Sequence, residues 1–238
     1  FKTKRLNIWT TSKGGWLNME RWKKLPGNAK LPDDLPIWGG LDLASVSDIT
    51  ALALCWWDGP ELNISGRYYL PESAIELRNQ RGDFTYKHWQ EQGHLIVTAG
   101  VRKDYDFIEG DVLAAGSDCD VQEFGYDPYN ATHIVNQLTE QGLPMVEIRQ
   151  GSRTLHPAMQ EFERKMLGNE LRHDGNPVLT WAASNVVARR DANNNMAPDK
   201  KHSMDKIDPL SAVLNAVVLM LAHQDSGNLQ DFLDSVTR

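Results

Sequence analysis

The sequence predicts an α/β fold in which helices flank a mixed central sheet on both faces, with an extended hairpin arm. Three observations support this prediction: closely spaced strand-like runs come first, strands and helices alternate after them, and an almost wholly apolar helix follows near the C-terminus. Closely spaced strands favour antiparallel pairing, whereas strands separated by helices favour parallel pairing. We therefore expect a sheet that contains both kinds of pairing.

The strand-like runs span 37–44, 49–57 and 62–70. They are joined by the short segments "SVSD" and "DGPE", which are rich in turn-forming residues. Runs joined this closely predict an antiparallel meander. The preceding residues, 1–36, mix glycine, proline and charge around a short amphipathic stretch at 16–25, so we interpret them as a lead-in or linker segment.

Helices and strands alternate from residue 71 onward. The apolar spacing and the turn residues predict helices over 71–80, 84–92, 104–116, 128–142 and 155–169, and strands over 121–127 and 144–150. Gly142 is well placed to end its helix, because glycine readily adopts the left-handed conformation common at helix C-termini.

The C-terminal part combines an arm with a buried helix. Residues 176–202 predict an extended arm, and the polar turn "DANNN" within it favours a hairpin. The stretch 208–222 is apolar nearly all round, which is typical of a deeply packed helix. This element order matches a ribonuclease-H-like fold, with the domain expected over 37–225 and a polar tail over 226–238.

The composition is that of an ordinary globular protein and disfavours membrane-spanning, disulfide-rich and zinc-binding proteins. Of the 238 residues, 41% are hydrophobic and 24% are charged. We find no apolar run long enough to span a bilayer and no cleavable leader, so we expect a cytoplasmic protein that does not enter a membrane. Cys55 and Cys119 lie far apart without metal-ligand spacing, so neither a disulfide framework nor a zinc site is predicted.

The charge is unevenly distributed along the chain. A formal net charge of −7 by itself disfavours nucleic-acid binding. Residues 149–206, however, hold ten Lys or Arg against seven Asp or Glu, a local excess of +3 that leaves −10 on the remainder. A modestly basic segment can still present one face to phosphates.

Asp42 is an unusual residue, because it stands within an apolar strand in "GGLDLASVSD". A carboxylate away from water is costly unless a positive partner neutralises it. One interpretation is a strand-edge residue that is hydrogen-bonded to a neighbour. The other is a ligand of a cation.

Two further aspartates, Asp127 and Asp208, adjoin a predicted strand end and a predicted helix start, and each precedes a proline. Taken separately, each fits helix capping, in which the carboxylate accepts a first-turn N–H and proline occupies the first helical position. Taken together with Asp42, they predict a cluster, because parallel strand ends and the start of the last helix can meet at one point. Such hard oxygen ligands suit Mg²⁺ or Mn²⁺.

Other candidate residues carry weaker signals. Asp205 is an alternative to Asp208 as the third ligand, but Asp208 is preferred because the helix begins there, and Asp48 is expected to be a turn residue. The seven histidines are scattered without pair spacing, although His202 follows two lysines and could face a phosphate. No G-x-x-x-x-G-K-[ST] loop and no nucleophile elbow occurs.

Five ordered motifs resemble one family. "WGGLDLASVSDITAL", "GYDPYNA", "VEIRQGSRTLHPAMQEFER", "GNPVLTWAASNVVARRDANNNMAPDK" and "KIDPLSAVLNAV" are similar to the nuclease half of tailed-phage terminase large subunits, in particular the HK97-type terminases. The resemblance covers nearly the whole chain, and "KRLNIWTTSKGGWLNMERW" is similar to the segment that follows the motor domain in that family.

The resemblance implies a ribonuclease-H-like endonuclease that cuts concatemeric double-stranded viral DNA during packaging with two divalent ions. The acidic motif positions correspond to Asp42, Asp127 and Asp208, and we expect Asp42 to bridge both ions. The expected partners are double-stranded DNA, the packaging ATPase domain that these residues do not include, the terminase small subunit and the portal protein. The expected place of action is the host cell cytoplasm.

Candidate contacts to the DNA backbone are the basic residues Arg149, Arg153, Arg189, Arg190, Lys200 and Lys201, although a solvated surface charge is an equally good interpretation of each. Backbone contacts position DNA without reading its sequence, and they weaken with salt. Two rival functions stay open at this point. One is a non-catalytic module that holds DNA or docks at the portal, and the other is a sugar-kinase or actin-like ATPase, for which we find no glycine-rich nucleotide loops.

Overall fold

The predicted meander forms the first half of the central sheet. The structure, a computed structural model, describes residues 15–27, 30–43, 48–98, 105–129, 131–203 and 205–225. Its first strands are β1 (Ile37–Asp42), β2 (Thr50–Asp58) and β3 (Glu61–Pro71), which pair antiparallel in sequence order. The meander is therefore confirmed, whereas residues 44–47 of its first turn lie outside the described residues.

The other strands of this sheet pair in parallel. Strand β5 (Val121–Tyr126) lies beside β1, and β6 (Met145–Glu147) lies beside β5. Two three-residue strands, β4 (Ile96–Thr98) and β7 (Leu171–His173), both pair with the long strand β3. The strand order is β4-β3-β2-β1-β5-β6, with β7 also on β3. The sequence did not predict β4 and β7, because three residues are too few to show a strand period.

The predicted helices are present, with shifted ends. Among the described residues the helices are α1 (Met19–Trp22), α2 (Glu72–Gln80), α3 (Thr85–Glu91), α4 (Tyr105–Asp118), α5 (Thr132–Glu140), α6 (Ser152–Leu167), α7 (Pro177–Asn185) and α8 (Asp208–Asp225). Helix α5 starts four residues later than predicted. Gly142 follows its end with a φ of 89°, the left-handed conformation that was expected there.

The predicted arm over 176–202 is partly wrong, because residues 177–185 form helix α7. Asn176 caps this helix through its side chain, which accepts the N–H of Val178 at 2.9 Å, and Pro177 occupies the first turn. This capping pair is a helix-start signal that the extended interpretation overlooked. The hairpin part is confirmed: β8 (Ala188–Arg190) and β9 (Met196–Pro198) pair antiparallel around the "DANNN" turn.

Helices cover both faces of the sheet, as predicted. One hydrophobic cluster packs α6, α7 and α8 against the meander, with Phe162, Trp181 and Val217 among its members. The other cluster packs α4 and α5 against the opposite face around Phe124 and Ile134. Within the described ranges, no helix combines the length and the apolar character that crossing a membrane requires.

Part of the predicted lead-in packs onto this domain. Leu17, Met19, Trp22 and Leu25 are buried in the same cluster as α6 and α7. The Trp22 ring stacks on His173 with centroids 4.3 Å apart, and Nε2 of His173 lies 3.0 Å from the Trp22 carbonyl oxygen. Residues 17–25 therefore contribute to the stability of the core, whereas the domain boundaries stay predictions.

Two glycines let α8 lie directly on the central strands. A Cβ at Gly40 in β1 would lie 1.9 Å from the Ala212 carbonyl oxygen, and one at Gly125 in β5 would lie 2.8 Å from the Asn215 carbonyl oxygen. The helix backbone therefore touches the strand backbones. This contact brings the N-terminus of α8 close to the carboxyl ends of β1 and β5.

Replacing Gly40 with alanine should lower the free energy of unfolding by about 3 kcal/mol, because the new methyl group meets backbone and not a flexible side chain. Replacing Gly110 in α4 is the matched control, since a Cβ there meets nothing within 4 Å. That change should raise stability by about 0.5–1 kcal/mol. Thermal melting of both variants checks this, and an unchanged melting temperature in Gly40→Ala would contradict the close helix contact.

Candidate active site

Three aspartates meet where β1, β5 and α8 come together. Asp42 is the last residue of β1, Asp127 directly follows β5, and Asp208 is the first residue of α8. The N–H of Asp127 donates to the Leu41 carbonyl at 3.4 Å, which extends the parallel pairing to the acids. All three aspartates line one cleft of about 230 Å³. The predicted convergence is present, and the catalytic roles of these residues stay predictions.

The Lys200 ammonium faces two of these acids. Its Nζ lies 3.8 Å from Asp42 Oδ2 and 3.6 Å from Asp127 Oδ2. Asp42 is almost fully buried, with 4% of its surface exposed, whereas about half of the Lys200 side chain is exposed, at 51%. Lys200 was predicted as a DNA contact, and in this structure its charge points at the carboxylates.

The single positive charge of Lys200 does not fully neutralise the buried carboxylates. Burial, together with the neighbouring charges of Asp208 and Asp127, raises the pKa of Asp42 to about 7, although Lys200 and a hydrogen bond from Ser211 oppose the shift. Burial likewise raises the pKa of Asp208. Burial lowers the pKa of Lys200, but the three carboxylates outweigh it and the net shift is upward. The cleft therefore attracts positive charge.

Two buried carboxylate oxygens stand out in the cleft. Oδ2 of Asp42 and Oδ2 of Asp208 accept no hydrogen bond from the residues that the structure describes. Asp127 does not cap a helix, because its Oδ1 accepts the N–H of Tyr129 at 3.0 Å in a local turn and α5 begins only at Thr132. Helix capping therefore does not explain the position of Asp127. Capping by Asp208 would also leave its buried Oδ2 without a hydrogen-bond partner among the described residues.

Two other acids at the rim of the cleft already have cationic partners. Asp205 Oδ1 lies 3.1 Å from Nη2 of Arg78 in α2, which also pairs with Asp83 at 2.9 Å. Asp48 pairs with Lys206 at 2.8 Å. Asp205 was an alternative third ligand, and its pairing with Arg78 makes it less available than Asp208 for a further cation.

The β8–β9 hairpin and the turn after it position Lys200 near Asp42 and Asp127. The hydroxyl of Ser152 in α6 donates to Asp191 in the β8–β9 turn at 2.6 Å, which ties the hairpin to that helix. After β9, the side chain of Asp199 accepts the N–H of Lys201 at 3.1 Å and so shapes a tight turn. Lys200 lies in this turn, so its position depends on how the hairpin packs.

A larger groove adjoins the acidic cleft and shares Lys200 with it. The groove measures about 590 Å³ and is lined by Gln150, Leu155, Arg189, Pro198, Asp199, Lys200, Lys201, His202 and Ser211. It brings together Arg189, Lys200 and Lys201 of the predicted DNA contacts. His202, which could have faced a phosphate, instead lies with Nδ1 2.7 Å from Asp199 Oδ2.

The remaining predicted DNA contacts lie elsewhere. Arg190 lines a separate depression beside Arg164, and it donates to the Asn194 carbonyl at 3.1 Å. Arg149 and Arg153 are exposed and are not part of the described lining of the groove. Three of the six predicted DNA contacts therefore lie together in the groove.

The donor chemistry of the cleft fits a hard divalent cation. Carboxylate oxygens that accept no hydrogen bond are the ligands that Mg²⁺ and Mn²⁺ prefer. Within the described part of the chain, however, no three His, Cys, Asp or Glu side chains stand close enough to hold a metal ion as they are. The Lys200 ammonium faces Asp42 and Asp127, so a divalent ion held by these acids would need Lys200 to withdraw.

Two residues around the acids were not predicted from the sequence. Ser211 acts on Asp42, and the signal for it was present: it follows Asp208 by three residues, which places both on one face of an otherwise apolar helix. Arg78 holds Asp205 from α2, 127 residues away along the chain, and no local pattern indicates such a pair.

A family model agrees with this architecture. The model described as "Terminase large subunit, endonuclease domain" matches residues 1–224. The terminase large subunit of Enterobacteria phage HK97 is 27% identical over 238 residues, which cover 98% of this chain and 47% of that protein. The crystal structure of the HK97 bacteriophage large terminase has a TM-score of 0.77 at 28% identity and covers 88% of this chain and 44% of that chain.

Two other similar proteins are informative. Protein YmfN of Escherichia coli strain K12 is 28% identical over 249 residues, covering 99% of this chain and 55% of that protein. The large terminase nuclease from thermophilic phage G20c, solved with bound cobalt, shares the fold at 11% identity and a TM-score of 0.50, covering 81% of this chain and 90% of that chain. The chain spans about half the length of the curated relatives that it matches.

The raised pKa of Asp42 makes stability depend on pH. Between its ordinary value of 3.8 and about 7, the folded state binds the Asp42 proton more tightly than the unfolded state does. Stability attributable to this group therefore falls as pH rises through that window and stays constant above it. Asp42→Asn should remove the penalty, so in EDTA its melting temperature should exceed that of the wild type by on the order of 5 °C at pH 8 and by little at pH 4.

Melting curves of both proteins at several pH values from 4 to 8 check this. Asp33→Asn is a suitable control, because Asp33 is exposed on the surface. A difference between wild type and Asp42→Asn that does not grow with pH would show that Asp42 ionises without penalty.

Proposed function

The chain belongs to the family of terminase large subunit endonuclease domains, and from this premise we propose that it cleaves concatemeric double-stranded viral DNA during genome packaging by metal-dependent phosphodiester hydrolysis. The observation that carries the proposal is the convergence of Asp42, Asp127 and Asp208 on one cleft, where two buried oxygens accept no hydrogen bond from the described part of the chain. A cleft that is short of positive charge is suited to bind a cation.

We assign Asp42, Asp127 and Asp208 as ligands of Mg²⁺ or Mn²⁺, with Asp42 shared between two ions. Bound there, the ions would neutralise charge on the phosphate and lower the pKa of the attacking water. The side chains supply the fixed negative charge that holds the ions. Asp205 stays paired with Arg78 at the rim and is not a ligand in this assignment.

Lys200 has two positions in the proposal. In the structure, its ammonium faces Asp42 and Asp127 and partly neutralises them. If the three aspartates held divalent ions, the Lys200 ammonium would be repelled and would turn into the adjoining groove, which its side chain already lines. There it would contact a phosphate of the DNA backbone.

The groove provides the path for the DNA backbone. Arg189, Lys200 and Lys201 line it next to the acids, so a strand in the groove would pass a phosphate over the cleft. Contacts of this kind position DNA without selecting sequence. Because the chain as a whole carries −7, affinity for DNA would come largely from other parts of the packaging machinery. We propose as partners the packaging ATPase domain, the small subunit and the portal protein, acting in the host cell cytoplasm.

A second candidate function is a non-catalytic module that holds DNA for the packaging motor. It is favoured by the ion pairs of Lys200 and by the lack of a preformed three-ligand group within the residues that the structure describes. In that case Lys200 would be a permanent structural partner of Asp42 and Asp127. The two functions differ in what a divalent ion does to the protein.

Cleavage of supercoiled plasmid separates these candidates. The wild type should nick and linearise plasmid with Mn²⁺ or Mg²⁺ and not with EDTA. Asp42→Asn, Asp127→Asn and Asp208→Asn should each lower the rate by about 100-fold or more, because each removes charge that holds a cation in the transition state. Asp205→Asn is the matched control and should retain activity within about threefold. Absence of metal-dependent nicking together with retained DNA binding would favour the holding module.

Replacing Lys200 with alanine should change two measurements in opposite directions. Removal of the competing ammonium should tighten Mn²⁺ binding by about fivefold, as expected for about 1 kcal/mol of ion pairing, while plasmid cleavage should slow. Lys201→Ala is the control: it should weaken DNA binding and leave Mn²⁺ affinity unchanged. Calorimetric titration with Mn²⁺ measures the first effect without DNA. Weaker Mn²⁺ binding in Lys200→Ala would contradict the competition.

A further inference from the structure

One face of α8 carries an unexpected polar stripe. The helix is otherwise apolar, yet Asp208, Ser211 and Asn215 follow one another at spacings of three and four residues, which places them on the same face. Asn215 lies two turns beyond Asp208 along the helix and is fully buried, with 0% of its surface exposed. A buried amide is costly unless its donors and acceptor are satisfied, so its partners indicate its role.

The Asn215 amide holds the end of β1. Its Nδ2 donates to the Leu41 carbonyl at 2.9 Å, and the same carbonyl accepts the N–H of Asp127 at 3.4 Å. Leu41 directly precedes Asp42. One oxygen atom therefore links the three elements that carry Asp42, Asp127 and Asp208.

Gln150 continues this link into the groove. Its Nε2 donates to Asn215 Oδ1 at 3.0 Å and to the Ile148 carbonyl at 2.8 Å. Gln150 also lines the basic groove proposed for DNA. A chain of hydrogen bonds thus runs from the groove through Gln150 and Asn215 to the backbone beside Asp42.

The packing of α8 explains why a directional bond is needed. At Gly40 the helix backbone lies directly against strand backbone, and at Gly125 it does so beside the side chains of Ile148 and Leu219. The glycines themselves contribute no side chain that would fix how far the helix slides or turns at these two points. The hydrogen bond from Asn215 to the Leu41 carbonyl fixes the helix relative to the end of β1, next to Asp42.

We propose that Asn215 is a positioning residue, which with Gln150 holds α8 against the ends of β1 and β5 so that the three aspartates can close around divalent ions. This inference rests on the proposed function, since it concerns the same acids. Asn215 acts through the Leu41 carbonyl and contacts neither metal nor DNA.

The variant Asn215→Leu tests the proposal. Leucine suits the apolar surroundings, and the Leu41 carbonyl keeps its bond from Asp127, so we expect a folded protein. Mn²⁺ affinity should fall by about tenfold, the range found when groups that orient metal ligands are removed. The kcat of plasmid cleavage should fall with the KM for DNA unchanged. Gln150→Ala should act in the same direction, and adding it to Asn215→Leu should cause no further loss.

Leu214→Ala is the matched control, because Leu214 is buried on the same helix and takes no part in the hydrogen-bond chain. It should lower the melting temperature and leave Mn²⁺ affinity unchanged. Equal losses of Mn²⁺ affinity in both variants would overturn the proposal, as would wild-type affinity and kcat in a folded Asn215→Leu.

Hydrogen exchange without metal separates this proposal from the function on which it rests. Exchange in a peptide covering 121–129 should be faster in Asn215→Leu than in Leu214→Ala, because only the first change removes the Asn215 bond that holds the Leu41 carbonyl, the acceptor of the Asp127 N–H. Protection unchanged in Asn215→Leu would overturn the positioning role. If Asn215→Leu exchanges faster but the wild type neither binds Mn²⁺ nor cuts plasmid, the structural link is supported and the nuclease function is contradicted.

Discussion

The burial of Asp42 beside two other carboxylates is the constraint around which the site is organised. Its cost is visible in a pKa raised to about 7, and a single ammonium from Lys200 does not remove it. The folded state tolerates this cost because the two apolar clusters on either face of the sheet stabilise the strands and helices that carry the acids. A site that is destabilising without a cation is well suited to bind one, since the binding energy then includes relief of the repulsion.

Backbone contacts, in addition to side-chain packing, bring the acids together. Strands β1 and β5 are parallel neighbours, so Asp42 and Asp127 leave the sheet at the same edge. Gly40 and Gly125 let α8 approach that edge closely, and Asn215 fixes the helix there. The basic groove meets the acidic cleft at Lys200, so one side chain belongs to both. Metal binding and DNA binding would therefore be coupled through the position of a single ammonium.

Much of this arrangement could be predicted from local sequence patterns. The meander, the strand leading to Asp127 and the apolar helix at Asp208 each show a clear period, and Asp42 was conspicuous because it interrupts an apolar run. Strands β4 and β7 were missed because three-residue strands depend on a neighbour and not on their own period. Helix α7 was missed although Asn176 and Pro177 marked its start. The contacts of Lys200, Arg78 and Asn215 join distant segments, and no local pattern contains them.

Anomalous X-ray scattering from crystals of the protein soaked in Mn²⁺ would locate the bound ions directly. We expect scattering peaks that contact carboxylate oxygens of Asp42, Asp127 and Asp208, with the Lys200 ammonium displaced into the adjoining groove. Ordered Mn²⁺ at another place, or none at saturating concentration with Lys200 still between Asp42 and Asp127, would contradict this expectation.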